Sequence, residues 1–220
     1  MKPKYPLTQP FAQLPADIPI HVHNNALLPG GELPLEIKDP QQMALFFDAL
    51  RSDQMLGVVQ PNPEAAEAGI YRVGCAGRIR QYRERKDGRI NVMLTGFCRF
   101  DITAELAADR KYRRAAVDWG RFALDYQTLD VAQTLVDTVM ANLRDYFQRH
   151  QMQVDWEALN KAHIEEVVNN LVLVMNFTVA EKQLLLEALT VEDRLHVFNE
   201  LLTSKGSPIW TGSSPAGALN

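Results

Sequence analysis

The stretch from Ile18 to Val59, IPIHVHNNALLPGGELPLEIKDPQQMALFFDALRSDQMLGVV, constrains the fold more than any other part of the chain. Ile18, Ile20 and Val22 alternate with Pro19, His21 and His23, the period of a half-buried strand, and Asn24-Asn25 follow as a turn signal. Pro29-Gly30-Gly31 marks a second turn, where glycine takes positive φ without steric cost. Leu33, Leu35 and Ile37 predict another strand, and Pro34 within it predicts an edge position or a bulge, because proline cannot donate to the ladder. Asp39-Pro40 predicts a helix start, with a capping carboxylate and a ring suited to the first turn. Met43, Leu45, Phe46, Phe47, Ala49 and Leu50 continue it at helical spacing, and Leu56 to Val59 read as a short strand.

The rest of the chain extends this plan. The first 17 residues, punctuated by Pro3, Pro6, Pro10 and Pro15, read as an extended or poorly ordered arm. Pro61 to Gly69 reads as a loop. Strand-like runs then cover Ile70 to Val73, Cys75 to Tyr82, Ile90 to Phe97, Arg99 to Leu106 and Tyr112 to Trp119, with Asp87-Gly88 a strong hairpin signal. Six to eight short strands and one helix, over residues 18–122, suggest a small barrel or a pair of packed sheets. Residues 123–203 read as helical. One stripe runs from Thr128 to His150, a second helix covers Lys161 to Met175, and Thr178 to Glu181 matches a capping box. Thr190 to Asp193 repeats that arrangement before a last helix through Leu195, Phe198, Leu201 and Leu202. Residues 204–220, with an isolated Trp210, read as a mobile tail.

Composition bounds what such a fold can be. The 220 residues are 46% hydrophobic, enough for a real core in one large domain or two small ones. The longest apolar clusters, such as Leu171 to Met175, are too short to cross a bilayer, and the N-terminus lacks the continuous apolar region of a secretory signal. No membrane partner and a cytoplasmic location are therefore expected. Cys75 and Cys98 are expected as buried reduced thiols within strands. The net charge of -4 hides an asymmetry: residues 72–121 hold 13 Lys/Arg against 6 Asp/Glu, while the remainder is strongly acidic.

Several segments together resemble the N-terminal domain of the Lon proteases. Ile18-Pro-Ile, Asn25-Ala-Leu-Leu-Pro-Gly-Gly-Glu-Leu-Pro-Leu-Glu-Ile, the Asp39-Pro40 helix and Leu56-Gly-Val-Val are similar to its first block. Gly77-Arg-Ile, Asp87-Gly-Arg-Ile-Asn-Val-Met-Leu-Thr-Gly and Cys98-Arg-Phe-Asp-Ile resemble its second, and Glu181-Lys-Gln-Leu-Leu-Leu-Glu and Asp193-Arg-Leu its closing helices. The resemblance spans Ile18 to Leu202. It implies an α+β fold, a pseudo-barrel resembling PUA domains followed by a helical bundle, and a role in engaging substrate proteins and assembling the oligomer. The family usually has Phe before the acidic residue and Arg-Tyr after the proline, whereas this chain has Ile37-Lys38-Asp39-Pro40-Gln41-Gln42. Leu28, Pro29, Glu36, Lys38, Gln41 and Gln42 are accordingly the candidate partner-binding residues.

The chemistry of an enzyme is not visible. Gly69-Ile-Tyr-Arg-Val-Gly74, the nearest approach to a phosphate-cradling loop, is followed by Cys75-Ala76 where Lys-Ser/Thr is needed. Ser52, Ser204, Ser207, Ser213 and Ser214 lack a recognisable base or oxyanion context, and nothing resembles the separate Lon domain that carries its serine-lysine dyad. His21-Val-His23 could present two imidazoles on one strand face, but no acidic or cysteine ligand lies near in sequence, so neither a metal nor another cofactor is expected. His150, His163 and His196 read as partly exposed helical positions, and Glu165-Glu166 and Glu192-Asp193 as solvated or dipole-complementing carboxylates.

The basic hairpin Arg78, Arg80, Tyr82, Arg83 and Arg85 offers an alternative contact for nucleic acid, RNA by analogy with PUA-like barrels, with alternation placing Arg78, Arg80 and Tyr82 on one face. A solvated strand face is the favoured account of these charges. The expectation is a stand-alone, non-enzymatic Lon N-terminal-domain protein that binds protein or peptide segments in an apolar groove between barrel and bundle. Such a role would link it to protein quality control or ATP-dependent proteolysis. Homo-oligomerisation stays open.

Overall fold

In the computed structural model, residues 4–5, 8–65, 69–107 and 111–204 are described. The expected tail beyond Ser204, with Trp210, lies outside the described residues. Six strands form one sheet: β1 (Asp17–Val22), β2 (Glu32–Ile37), β3 (Met55–Val59), β4 (Val73–Glu84), β5 (Ile90–Glu105) and β6 (Arg114–Asp118), in the order β2-β5-β4-β3-β1-β6. The 16-residue β5 closes the sheet on itself. Its first half pairs with β2, its second half with β6, and β4 runs along nearly all of it. The β1–β3 pair is parallel and the remaining pairs are antiparallel.

Strand count sits at the lower end of the six to eight expected, for a local reason. The runs read as separate on either side of Cys98 are one strand, and Ile70 makes only an isolated bridge to Pro61 instead of extending β4. β2 is an edge strand with strict in-out burial, which accommodates Pro34. The Asp39 carboxylate accepts from the Gln42 amide at 2.8 Å to cap α1 (Pro40–Arg51), whose Leu45, Phe46 and Ala49 are buried against the barrel.

After β6 a 3-10 segment, Gly120–Tyr126, carries the chain to the helices. These are α2 (Gln133–Arg149), α3 (Trp156–Lys161), α4 (Ile164–Val174), α5 (Val179–Glu187) and α6 (Val191–Ser204). α2 begins five residues later than its apolar stripe suggested, and the short α3, capped by Asp155, had no periodic signal to announce it. Both Thr-initiated caps form. Glu181 and Thr178 exchange hydrogen bonds at the start of α5, and Asp193 and Thr190 do so at the start of α6. His163 caps α4, its ring nitrogen accepting from the Glu165 amide at 3.4 Å.

A barrel-interior cluster gathers Ile18, Ile20, Phe97, Phe100 and Trp119. A larger cluster is continuous from Leu27 and Leu28 through Phe46, Leu94, Val139 and Leu143 to Phe198 and Leu202, so barrel and helices share one apolar core. Cys75 and Cys98 are free thiols inside β4 and β5, and burial pushes both well above the usual thiol range. The N-terminal arm is more engaged than its prolines suggested. Phe11–Gln13 form a 3-10 turn, Phe11 packs edge-on against Tyr126 at 5.3 Å, and Tyr126 and Trp119 donate to the carbonyls of Gln9 and Pro15.

Candidate docking surface

The PGG turn is built into the core. Gly30 takes φ +77, its amide donates to Gly96 O at 2.8 Å, and Gly96 returns a bond to Gly31 O at 2.9 Å. A Cβ on Gly96 would stand 2.1 Å from Leu28 O, so only glycine allows this approach. From the other side Asn169 of α4 donates to Pro29 O at 2.7 Å. Leu28 and Pro29 are therefore buried between β5 and α4 and are not surface residues. Of the candidate partner-binding residues, Glu36, Lys38 and Gln41 are exposed, while Gln42 is half-buried and gives its amide to the Asp39 cap.

The β4–β5 hairpin meets Glu36. Arg89 pairs with Glu36 at 3.0 Å and Arg85 with the same carboxylate at 3.6 Å, and both reach Asp87. Alternation would have put Tyr82 beside Arg78 and Arg80, but a bulge at Arg80 corrects that expectation. Ile79 opposes Leu94 and Gln81 already opposes Met93, so the extra residue turns Tyr82 to the face of Ile79 and Val92. There the Tyr82 ring stands edge-on to Phe46 at 5.4 Å, and the Phe47 ring also stands edge-on to Phe46 at 5.4 Å. Tyr82 remains 50% exposed and Phe47 38%.

Tyr82, packed on Phe46, thus stands on the sheet face of Val92 and Leu35, whereas Glu36, opposite Asn91, belongs to the other face. Partly exposed aromatic rings suit contact with apolar side chains of an extended segment, since they bury area at small entropic cost. With Arg85 and Arg89 paired to Glu36 and Asp87, the hairpin is not a uniformly basic face of the kind nucleic acid requires.

Sequence reasoning missed a polar junction beneath this architecture. Arg99 of β5, 1% exposed, holds Asp125 through Nε and Nη2 and donates to the carbonyls of Leu186, Ala188 and Leu189, tying the barrel to the α5–α6 turn. Its guanidinium also lies 4.4 Å over the Phe122 ring. Arg194, equally buried, donates to Leu185 O and to Asn169 Oδ1 at 3.1 Å, and stands 4.0 Å from Glu165. Burial lowers this guanidinium to about 10, so it stays charged at neutral pH. Glu165, read from sequence as solvated, is buried, because Lys4 from the arm and Arg194 flank it. No short-range pattern announces partners so far apart in the chain.

His21 and His23 stack at 5.9 Å. Burial, then the neighbouring His23, lowers His21 to about 4, and burial lowers His23 as well; His23 Nδ1 accepts the Asn25 amide at 3.0 Å. Among the described residues no group of three or more His, Cys, Asp or Glu is placed to hold a metal ion. The expected groove between barrel and bundle is filled by the shared core. Instead, a cavity of about 370 Å³ lies between α2, the end of α3 and α4, lined by Val136, Met140, Arg144, Leu159 and Ile164 among others, and one of about 410 Å³ lies between α2 and α6. Among the described residues no helix is long and apolar enough to cross a membrane.

A six-strand pseudo-barrel closed by one long strand and sharing its core with a helical bundle defines a mixed α+β architecture that recurs in solved structures. A Lon N-terminal domain protein from Xanthomonas campestris superposes with TM-score 0.64 at 17% identity, over 85% of this chain and 97% of that one. The N-terminal domain of the Mycobacterium avium complex Lon protease gives TM-score 0.64 at 18% identity, over 85% and 98%. In sequence, a Lon protease of Anaeromyxobacter dehalogenans is 25% identical over 87% of this chain, and Lon protease 2 of Myxococcus xanthus 26% over the same share. The chain spans 24% of the length of each of those two relatives. Residues 18–204 match the substrate-binding domain of the ATP-dependent protease La (LON), and the chain belongs to that family.

Proposed function

We propose that this chain is a non-catalytic binding module that captures protein or peptide segments in the cytoplasm, in the service of protein quality control or ATP-dependent proteolysis. The observation that carries the reading is the match of residues 18–204 to a substrate-binding domain. Residues 18–122 form its barrel unit and residues 123–203 its helical unit, with residues 1–17 as an arm. The proposed docking residues are the partly exposed rings of Phe47 and Tyr82, both packed on Phe46, with the exposed Glu36, Lys38 and Gln41 as further candidates. Extended apolar segments fit them because two half-exposed rings on a rigid base lose little freedom on binding.

Fluorescence anisotropy with a labelled, permanently unfolded protein such as carboxymethylated α-lactalbumin tests the reading. Saturable binding, competed by the unlabelled unfolded chain and not by its folded form, is expected. Absence of saturable binding up to hundred-micromolar protein overturns it.

A further inference from the structure

Lys4 and Tyr5 of the arm add a polar contact to the packing of Tyr5 against the barrel-interior cluster. Lys4 reaches the Glu165 carboxylate, and the Tyr5 ring lies over Gly30, whose missing Cβ would stand 3.0 Å from the Tyr5 hydroxyl oxygen. Glu165 is buried and Arg194 fully so. Arg194 Nη2 has no hydrogen-bond partner among the described residues, although Nε and Nη1 are engaged. A buried guanidinium with a spare donor, beside a buried carboxylate taken by a lysine from the distal arm, is costly as architecture alone. The bed beneath is preformed without the arm, by Asn169 on Pro29 O and by the two Gly96 bonds that fix the turn.

Downstream of Tyr5 the arm has its own anchors. Gln9 Nε2 bonds Asp53 at 2.9 Å, Tyr126 bonds Gln9 O at 2.9 Å, and Phe11 packs on Tyr126. Lys4 and Tyr5 can therefore leave while the chain from Gln9 onward stays docked.

We infer that Glu165, Arg194, Asn169 and the PGG turn form a second peptide site, one that takes an extended segment presenting a lysine followed by an aromatic residue, and that Lys4 and Tyr5 occupy it in cis. Glu165 selects the ammonium, the side-chain-free face of Gly30 admits the ring, and the spare Arg194 donor meets a polar group of the incoming segment. The site is distinct from the Phe47 and Tyr82 face. The covalently attached arm competes at an effective concentration of about a millimolar, so a segment of about 100 μM intrinsic affinity binds about tenfold more weakly when the arm is intact.

The test uses a fluorescein-labelled peptide with the sequence of residues 1–9, the full-length chain, and a full-length Lys4→Glu, Tyr5→Ser double variant. The double variant is expected to bind the peptide saturably and about tenfold or more tightly than the unchanged chain, and adding Glu165→Gln to it is expected to abolish that binding. Circular dichroism and a thermal melt establish that each variant is folded. A folded double variant that does not bind, equal affinity of the two chains, or indifference to Glu165→Gln overturns the inference. So does an unchanged chain that sediments as a dimer and a double variant that sediments as a monomer, since the arm would then serve a second copy. If the peptide binds while unfolded protein does not, the second site stands and the function proposed above fails; the reverse leaves that function and removes this site.

Discussion

The barrel and the junction beneath the helices are stabilised by different means. β2 buries Leu33, Leu35 and Ile37 in strict alternation against β5, and each contact is an increment of apolar area that tolerates small change. The junction instead concentrates Arg99, Asp125, Arg194, Asn169 and Glu165 where water does not reach, and each group depends on the next. The contrast teaches that the helices are fixed on the barrel by shared apolar packing and oriented by directional bonds such as those from Arg99 to the α5–α6 turn.

Removing Arg99 should break this contrast most sharply. Arg99→Ala leaves the Asp125 carboxylate buried without its partner, and a loss of about 3–5 kcal/mol is expected in urea unfolding. Arg78→Ala, on a half-buried strand position, should cost under about 1 kcal/mol. Gly96→Ala comes next, at about 3 kcal/mol, because its Cβ would collide with the Leu28 carbonyl; Gly88→Ala, in open space at φ +81, should cost about 1 kcal/mol by the same measurement.

Acid sharpens the comparison from the β1 side. His21 is held near 4 in the folded chain by burial and by His23, below the ordinary 6.5, so the folded state favours the neutral ring. The stability this carries is complete above pH 6.5 and is lost as pH falls toward 4, by up to about 3 kcal/mol. His21→Leu should flatten the fall between pH 7 and pH 4.5, read as the difference in urea midpoints. The smallest effect is expected at the α5 cap, where Thr178→Ala removes one side of a reciprocal bond and should lower stability by about 1 kcal/mol.

How much of this was legible follows from the range of the interactions. The Asp39 and Thr178 caps, the edge position of Pro34 and the Asp87-Gly88 turn depend on residues a few positions apart, and the sequence displays them directly. The Arg80 bulge was hidden, because nothing local marks which residue is left unpaired, and it turned Tyr82 from the arginine face to Phe46. Glu165 and Arg99 were hidden for a stronger reason. Their partners lie 161 and 26 residues away, and a charged residue in a helix or strand is exposed far more often than buried. The β2–α1 segment and the hairpin were each visible as charge and aromatic content, but the Glu36 to Arg85 and Arg89 pairs and the Phe46 to Tyr82 contact that join them are long-range.

The central claim, that this family member binds extended protein segments on the Phe47 and Tyr82 face, is tested most directly by titrating the labelled unfolded protein with the unchanged chain and with a Phe47→Ser, Tyr82→Ser variant. Both rings are exposed by more than a third, so the variant should stay folded while its affinity falls about tenfold or more. Unaltered affinity in a folded double variant would contradict the account.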